Sequence, residues 1–212
     1  NDDLRNSATA EDPVELPMPG VNQVQVNTQQ GLNFSTAMRA FLRQDPDVLM
    51  VGEIRDQETA EIAVKAAQTG HLVLSTLTRL QSMGVRSFNL ASSVSLVIAQ
   101  RLLRKLCPHC KQVAVFTDEE LTQQGLSKKE GSQTSLYQAR GCHECHTGYK
   151  GRIGIYEVVP ISPTLSRHIM AEQGLTEFER AVGASGIITL RQSALLKVSA
   201  GLTSLEEANR LT

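Results

Sequence analysis

Two Cys-x-x-Cys pairs constrain the fold of this 212-residue chain more than any other feature of its sequence. Cys107 and Cys110 form one pair, Cys142 and Cys145 form the other, and no other cysteine is present. Two such pairs, with turn-forming residues between the ligands, are typical of a tetrahedral zinc site. Four thiolates leave no coordination position open for water, so we expect a structural Zn²⁺ rather than a catalytic one.

The alternatives for these cysteines are a redox pair or disulfides. A redox site is usually built on a single Cys-x-x-Cys at a helix N-terminus, not on two pairs. No secretory signal is recognisable in the sequence, so we expect reduced thiols. Three histidines lie in or beside the pairs, and we interpret them as spacers rather than ligands: His109, His143 and His146.

Composition argues against two classes of partner. Lys and Arg together number 21 and Asp and Glu 22, so no net positive charge favours nucleic acid. Aromatic residues make up only 4% and Trp is absent, which argues against a base-stacking surface. No apolar run reaches the roughly 18–20 residues that span a bilayer. We therefore expect no direct membrane insertion, and any membrane association must depend on a partner protein.

The first hundred residues alternate between strand-like and helix-like patterns. Val48–Val51 is a short, continuous apolar run, which is typical of a strand buried on both faces of a parallel sheet. Asp56 can cap the helix that follows, and Gly70 can end it. Further elements are predicted at Ala8–Ala10, Val21–Val26 and His71–Thr76 as strands, and at Phe34–Leu42 as a helix. This order indicates an α/β fold with right-handed crossovers.

The second half of the chain is predicted to be mostly helical. Ser92–Leu106 has the pattern of an amphipathic helix, and Gly148–Glu157 that of a hairpin. Asp118–Thr134 is polar, and we expect part of it to be mobile. Thr203 and Glu206 have capping-box spacing at the start of the last helix. Four helical segments are predicted in the tail: Leu165–Met170, Leu175–Val182, Leu190–Ala200 and Leu205–Leu211.

Carboxylates occur at two places where a sheet can hold a cation. Glu53 comes directly after the strand Val48–Val51 and one glycine, and P-loop ATPases place a carboxylate near Mg²⁺ at such a strand end. The alternative is a surface glutamate after an ordinary strand. Glu11, Asp12 and Glu15 crowd into five residues. They form either a solvated turn or a group that faces a cation and activates a water.

His71 directly follows the helix-ending Gly70 and starts a predicted strand. A histidine in this position can sense a phosphate or a nucleotide. The alternative is a structural histidine whose hydrogen bonds are satisfied within the fold.

Taken together, these segments resemble the bacterial ATPase family that drives type II secretion and type IV pilus extension. Thr9–Glu15 is similar to the family's aspartate box, Leu42–Asp56 to its Walker B segment, and Thr69–Leu77 to the front of its histidine box. Ser92–Leu102, the four cysteines and Gly151–Glu157 follow in the family's order. Pilus retraction motors lack the four cysteines, so the resemblance favours the extension or secretion branch.

Two departures from the family pattern are visible. The family's Walker A loop, G-x-x-x-x-G-K-[ST], lies before the aspartate box, and no Gly-Lys pair occurs in this chain. We therefore expect the chain to be the C-terminal part of a longer ATPase, starting after that loop and inactive on its own. After Leu77 the family continues its histidine box with further polar residues and a second histidine, and we expect a short loop to be missing there.

The resemblance implies a partial RecA-like P-loop ATPase core over residues 1–103, a tetracysteine zinc subdomain over 104–150 and a small helical domain over 151–212. It implies a hexameric, cytoplasmic motor, peripheral at the inner membrane, that hydrolyses Mg-ATP to drive pilus assembly or secretion. Its partners would be the inner-membrane platform and cytoplasmic docking proteins of that machine, without nucleic acid.

The resemblance also implies roles for individual residues. Glu53 would help to hold Mg²⁺, and His71 would sense the γ-phosphate or link neighbouring sites. Glu15 or Glu11 would activate the attacking water, with Glu15 favoured because it closes the box. Three further residues would contact the nucleotide: Asp12, Gly52 and Arg55. Four arginines are candidates for contacts across a subunit interface: Arg39, Arg43, Arg55 and Arg79.

A non-catalytic role is the alternative function. The chain would then be a zinc-stabilised docking or regulatory module of the secretion or pilus machinery, with a vestigial α/β half. The coding sequence upstream of Asn1 distinguishes the two hypotheses, because a Walker A loop there supports the motor.

Overall fold

The computed structural model describes residues 5–76, 80–126, 135–145, 147–172 and 174–212. The chain divides into two compact units, Asn1–Ser95 with Ser162–Phe178, and Leu96–Ile161 with Glu179–Thr212. These bounds differ from the expected boundaries at 103 and 150, and the three-part layout stays a prediction. Among the described residues, no helix combines the length and the apolar character that crossing a bilayer requires.

The strands are β1 (Ser7–Glu11), β2 (Asn22–Gln25), β3 (Val48–Val51), β4 (Leu72–Ser75), β5 (Leu96–Leu106), β6 (Gln112–Ala114), β7 (Leu136–Gln138) and β8 (Tyr149–Pro160). The helices are α1 (Phe34–Phe41), α2 (Gln57–Gln68), α3 (Ser87–Ser93), α4 (Asp118–Gln123), α5 (Pro163–Met170), α6 (Leu175–Ala184), α7 (Leu190–Ser199) and α8 (Leu205–Leu211). The four helical segments predicted in the tail are therefore confirmed.

A four-stranded parallel sheet organises the first unit, in the order β2-β1-β3-β4. Ala10 on β1 pairs with Val51 on β3, and Val51 pairs with Ser75 on β4. Because the strands run in parallel, their carboxyl ends all lie at one edge of the sheet. The predicted α/β fold with a parallel sheet is confirmed.

The core of the first unit lies between the sheet and its helices. Met38 on α1 and both Leu49 and Val51 on β3 are fully buried. The predicted cap of α2 is confirmed, because the Asp56 carboxylate accepts a hydrogen bond of 2.8 Å from the Thr59 N–H. Gly70 ends this helix with φ +102°, a backbone conformation that only glycine adopts easily.

The helix expected over Ser92–Leu106 is wrong. α3 ends at Ser93, and the 11-residue strand β5 begins at Leu96. The hairpin expected at Gly148–Glu157 is also wrong, because that segment lies in β8, which pairs antiparallel with β5. An apolar run of this kind suits a strand as well as a helix, and here a strand distant in sequence supplies the pairing.

The second unit is built on this β5–β8 ribbon. Leu103 on β5 and Ile155 on β8 are fully buried, and they share a core with Ala194 and Val198 of α7. β6 and β7 form a separate antiparallel pair. α4 occupies the start of the polar segment Asp118–Thr134, of which residues 127–134 lie outside the described residues.

The capping box predicted at Thr203 and Glu206 is wrong by one residue. Ser204 is the N-cap of α8, and its hydroxyl accepts a hydrogen bond of 3.1 Å from the Glu207 N–H. The Thr203 hydroxyl instead donates to the Arg104 carbonyl at 2.8 Å. Both residues have capping chemistry, so the tertiary partner decides which of them caps the helix.

Candidate functional site

Three strand ends meet at the carboxyl edge of the parallel sheet. Glu11 is the last residue of β1, and Gly52 and Glu53 follow β3. The Gly52 N–H donates to the Ala10 carbonyl at 2.8 Å. Thr76, directly after β4, donates its hydroxyl hydrogen to the Gly52 carbonyl at 3.1 Å. The structure thus brings both carboxylate segments to one edge, where α/β proteins place their ligand sites.

Gly52 is needed for the close approach of β1 and β3. A Cβ at this position would lie 3.2 Å from the Ala10 carbonyl oxygen and 3.5 Å from the Glu11 Cα. The first distance is shorter than ordinary packing contacts, so a larger residue would push the strand end apart. The expectation that Gly52 permits a close backbone approach is confirmed.

Glu11 is a buried carboxylate with three donors. It accepts hydrogen bonds from the Thr9 hydroxyl at 2.6 Å and from the Gln23 amide at 2.9 Å, and the Glu15 backbone N–H also donates to it. These hydrogen bonds, that from Thr9 foremost, hold the pKa of Glu11 below its usual value despite burial. Glu11 is therefore ionised and already engaged within the fold.

The other two carboxylates of the acidic segment face solvent. Asp12 and Glu15 are exposed, whereas Glu11 is only 9% exposed. The carboxylates of Asp12 and Glu15 are therefore open to a ligand or a water, whereas that of Glu11 is not.

Glu53 forms an ion pair with Arg55. The Arg55 Nε lies 2.5 Å from a Glu53 carboxylate oxygen, and the two side chains are 73% and 27% exposed. An exposed ion pair of this kind contributes little to stability. The Glu53 carboxylate can therefore exchange its arginine partner for a cation or a water at low cost.

His71 does not belong to this edge. It precedes β4, whose first residue Leu72 pairs with Val48, the first residue of β3. His71 is level with Asp47, so His71 and Gly52 lie at opposite ends of the paired strands, about 16 Å apart along the sheet. The His71 Nδ1 lies 2.9 Å from the Ala66 carbonyl oxygen. Both roles expected for His71, sensing the γ-phosphate and linking neighbouring sites, stay predictions.

The structure adds residues that the sequence reasoning missed. Thr9 and Gln23 hold Glu11, and Thr76 contacts Gly52. The Ser75 hydroxyl, at the end of β4, is buried and has no hydrogen-bond partner in the part of the chain that the structure describes. Thr9 could have been found from the sequence, because residues i and i+2 of a strand share a face.

The candidate interface arginines differ in their surroundings. Arg39 pairs with Glu58, which also accepts from the Ser35 hydroxyl. Arg55 pairs with Glu53. Arg79 lies outside the described residues, as do the expected missing loop after Leu77 and the spacer His146.

The oxygen groups at the carboxyl edge fit the cation-facing side of a nucleotide site. Carboxylate, hydroxyl and water oxygens are the ligands that Mg²⁺ prefers. Glu53 is partly exposed, and the buried Ser75 hydroxyl, which has no partner among the described residues, lies one strand away. A loop of the form G-x-x-x-x-G-K-[ST], which holds the phosphates in P-loop proteins, is not present in the 212 residues.

The four cysteines converge as predicted. All four Sγ atoms lie within 4.8 Å of one another, with 3.5 Å between Cys110 and Cys145 and 3.6 Å between Cys142 and Cys145. Zinc–sulfur bonds of about 2.3 Å in a tetrahedron place sulfurs about 3.8 Å apart. The cluster therefore has the dimensions and the donor set of a closed zinc site.

The backbone around the cluster depends on Gly148. The Cys107 N–H donates to the Gly148 carbonyl at 2.9 Å, which joins the two knuckles. Gly148 has φ +84°, and a Cβ there would lie 2.6 Å from the Ala139 Cβ. No other residue fits this turn unless the segment at Ala139 moves away.

The thiols of the cluster differ in acidity. Burial raises the pKa of Cys110 to about 12. Burial opposes ionisation of Cys145 too, but hydrogen bonds from Cys110 and from the Cys142 backbone outweigh it, and the pKa of Cys145 is about 7. One thiolate thus forms readily, whereas a full set of thiolates requires a positive charge at the centre of the cluster.

Comparison with known proteins places the chain in a family. Residues 1–210 match the sequence profile of the family described as "Type II/IV secretion system protein". The type IV pilus assembly ATPase PilB of Pseudomonas aeruginosa is 56% identical over 98% of this chain and 38% of its own length. The type II secretion system protein E of Dickeya dadantii is 46% identical over 98% of this chain and 43% of its own length.

A solved structure shares the fold. The crystal structure of the pilus retraction motor PilT with bound ADP is similar with a TM-score of 0.68 and 26% identity, over 98% of this chain and 52% of that one. The chain thus spans less than half the length of the two curated relatives. From its profile match and its identity with these relatives, the chain belongs to the type II/IV secretion system protein family.

Proposed function

We propose that the chain is the C-terminal part of a motor ATPase that powers type IV pilus assembly or type II secretion by hydrolysing Mg-ATP. The observation that carries this proposal is the meeting of two carboxylate segments, ending in Glu15 and Glu53, at the carboxyl edge of a parallel sheet. The relatives named as a pilus assembly ATPase and a type II secretion protein support it.

In this proposal, Glu53 holds Mg²⁺ or its water shell and leaves Arg55 when the nucleotide binds. Bound Mg-ATP supplies the phosphoryl group and the cation that neutralises its charge. Gly52 keeps the backbone of the strand end close to β1, so that Glu53 is presented at the edge. Arg55, once released, and Asp12 are available to contact the nucleotide.

Glu15 is the proposed base that positions or deprotonates the attacking water. A general base must be accessible and must have a free lone pair for the incoming proton. Glu15 is exposed, whereas Glu11 is buried and accepts three hydrogen bonds. Glu11 thus has a supporting role, which agrees with the preference for Glu15 from the sequence.

The proposed assembly is a homo-hexamer with nucleotide bound between subunits. It would lie in the cytoplasm, peripheral at the inner membrane, and dock on platform and cytoplasmic proteins of the pilus or secretion machine. His71, far from Glu53 along the sheet, would link neighbouring sites. The retraction motor PilT, whose fold is similar, supports a motor role.

The proposed role of the tetracysteine cluster is to bind one structural Zn²⁺. The four Sγ atoms are close enough to coordinate a single ion, and no cysteine is left over. The ion would join the knuckle at Cys107 to the knuckle at Cys142 and would replace the packing that a small domain cannot supply.

A test of the motor hypothesis compares Glu53→Gln with wild type in the full-length protein. We expect Glu53→Gln to abolish ATP hydrolysis while sparing ATP binding, because glutamine keeps the size of the side chain but not its charge. Glu119→Gln, exposed on α4, is the matched control and should keep wild-type turnover. Equal turnover in all three proteins would remove the proposed role of Glu53, whereas no turnover in the wild-type protein would favour the docking or regulatory module instead.

A further inference from the structure

The side chain of Gln23 makes three hydrogen bonds to the acidic segment. Its amide nitrogen donates to the Glu11 carboxylate at 2.9 Å and to the Leu16 carbonyl at 3.0 Å. Its amide oxygen accepts from the Met18 N–H at 2.5 Å. One side chain on β2 thus holds the last residue of β1 and two backbone groups of the loop that follows it.

These contacts fix the segment at both ends. Glu11 holds the start of the segment, because its carboxylate accepts hydrogen bonds from the Glu15 backbone N–H and from the Thr9 hydroxyl. Gln23 holds the end of the segment through its hydrogen bonds with the Leu16 carbonyl and the Met18 N–H. The carboxylate of Glu15 lies between these anchors and remains exposed. The backbone that carries Glu15 is therefore held through Glu11 and Gln23, and none of these hydrogen bonds uses the Glu15 carboxylate.

We propose that Gln23 is a positioning residue, which uses Glu11 as its anchor to set where Glu15 is presented at the carboxyl edge of the sheet. The catalytic consequence rests on the proposed function, in which Glu15 activates water. Glutamine suits this position because it combines two donors and one acceptor in a single planar group. No cation is needed for this arrangement, since neutral donors compensate the Glu11 charge.

The test uses three variants of the full-length protein. Gln23→Ala removes all three hydrogen bonds. Gln23→Glu keeps the shape and the acceptor for the Met18 N–H but cannot donate to Glu11. Gln25→Ala is the matched control, because Gln25 is the same residue type on the same strand and is exposed.

We expect Gln23→Ala to lower kcat by about 10- to 100-fold with the KM for ATP changed less than about 3-fold, because misplacing a reactive group affects the chemical step more than binding. Gln23→Glu should lose kcat at pH 8 and recover part of it at pH 6, as a proton shared between the two carboxylates restores the missing donor. Gln25→Ala should match wild type. A merely structural role would lower apparent kcat only through the folded fraction, so the loss in Gln23→Glu would show no recovery at pH 6 beyond any change in the folded fraction, which thermal unfolding at the two pH values measures.

Hydrogen exchange gives a readout that does not depend on activity. The Met18 amide should exchange faster in Gln23→Ala than in Gln25→Ala, while the Gly52 amide, bonded to Ala10, should not change. Unchanged exchange at Met18, or a kcat for Gln23→Ala equal to that of Gln25→Ala, overturns the proposal. If wild type itself does not hydrolyse ATP, the proposed function fails, and the exchange at Met18 alone decides whether Gln23 positions the segment.

Discussion

Glu207 on α8 and Arg104 on β5, which are 103 residues apart in sequence, form an ion pair in which the glutamate is buried and the arginine is partly exposed. The carboxylate of Glu207 is fully buried and accepts from the Arg104 N–H at 3.0 Å and from its guanidinium at 3.0 and 2.6 Å. Arg210 adds two hydrogen bonds of 2.9 Å. The Arg104 guanidinium also stacks 4.2 Å from the centre of the Tyr149 ring. This network joins the last helix to the ribbon beside the cysteine cluster.

The first prediction concerns the pH dependence that this ion pair causes. Burial raises the pKa of Glu207, but hydrogen bonds from Arg210 and Arg104 outweigh it and lower the pKa to about 2 in the folded protein. A carboxyl with a lowered pKa stabilises the fold above its unfolded pKa, and this contribution is lost as pH falls toward 2. We expect a loss on the order of 3 kcal/mol in the free energy of unfolding between pH 5 and pH 2.

Urea unfolding of wild type and Glu207→Gln at several pH values measures this contribution. Glu207→Gln should be destabilised at pH 7 by about 3 kcal/mol, because it removes the buried negative charge that accepts hydrogen bonds from Arg104 and Arg210. The difference between the two proteins should shrink as pH falls through that range. A difference that is independent of pH would show that Glu207 does not titrate with the fold.

The second prediction is one tightly bound Zn²⁺ per chain. The cysteine knuckles contact the loop between α7 and α8: the Lys111 Nζ donates to the Gly201 carbonyl at 3.0 Å, and the Leu106 N–H donates to the Leu202 carbonyl at 2.9 Å. Zinc removal by a chelator should therefore accelerate hydrogen exchange at the Leu106 amide. The Gly52 amide in the parallel sheet is the internal control and should not respond.

Elemental analysis of wild type and Cys142→Ser checks the metal itself. The variant should lose the zinc, because a closed site needs all four thiolates, and apparent binding energies for such sites are on the order of 10 kcal/mol. Freshly reduced wild-type protein without zinc would contradict the prediction.

The third prediction separates the two glutamates of the acidic segment. In the full-length protein, Glu15→Gln should lower turnover by a factor of about 100 to 10,000 while nucleotide affinity is largely kept, because a positioned general base is lost. Glu11→Gln should instead lower the free energy of unfolding by about 1–3 kcal/mol, because its new amide group meets donors where it needs acceptors. Steady-state ATPase rates together with thermal unfolding distinguish the two effects. Near-normal turnover in Glu15→Gln would mean that Glu11, not Glu15, is the general base.

The fourth prediction is that the 212-residue chain by itself does not hydrolyse ATP, whereas the full-length protein does. The reason is that the chain contains the carboxylate edge but no G-x-x-x-x-G-K-[ST] loop to hold the phosphates. Phosphate release from both proteins at equal concentration tests this. Turnover by the chain near the full-length rate would mean that the nucleotide site is assigned to the wrong residues.

Much of the first unit could be predicted because its signals are local. A continuous apolar run identified β3, and Asp56 followed by helical periodicity identified the start of α2. The place of Glu53 at the carboxyl end of β3 was predictable for the same reason, because this glutamate follows the apolar run after a single glycine. The cysteine cluster was predictable for a similar reason, since the spacing within each pair is itself a local signal.

Contacts between residues distant in sequence determined the features that the sequence did not predict. Leu96–Leu106 is a strand because β8 pairs with it, and no periodicity within the segment reveals that partner. Ser204 rather than Thr203 caps α8 because the Thr203 hydroxyl is bonded to Arg104. The placement of His71 follows from the register of β4 on β3.

Glu11 and Glu15 differ in burial and accessibility, and this difference depends on the tertiary structure. The sequence by itself determined that three carboxylates crowd into five residues, and that they form either a solvated turn or a group that faces a cation. Only the tertiary structure brought Gln23 on β2 against Glu11, which buries one carboxylate among donors and leaves Glu15 open to solvent. The type and spacing of a residue indicate which chemistry it can perform. Its pKa and accessibility depend on burial and on hydrogen-bond partners, because those partners come from chain segments that only folding brings together.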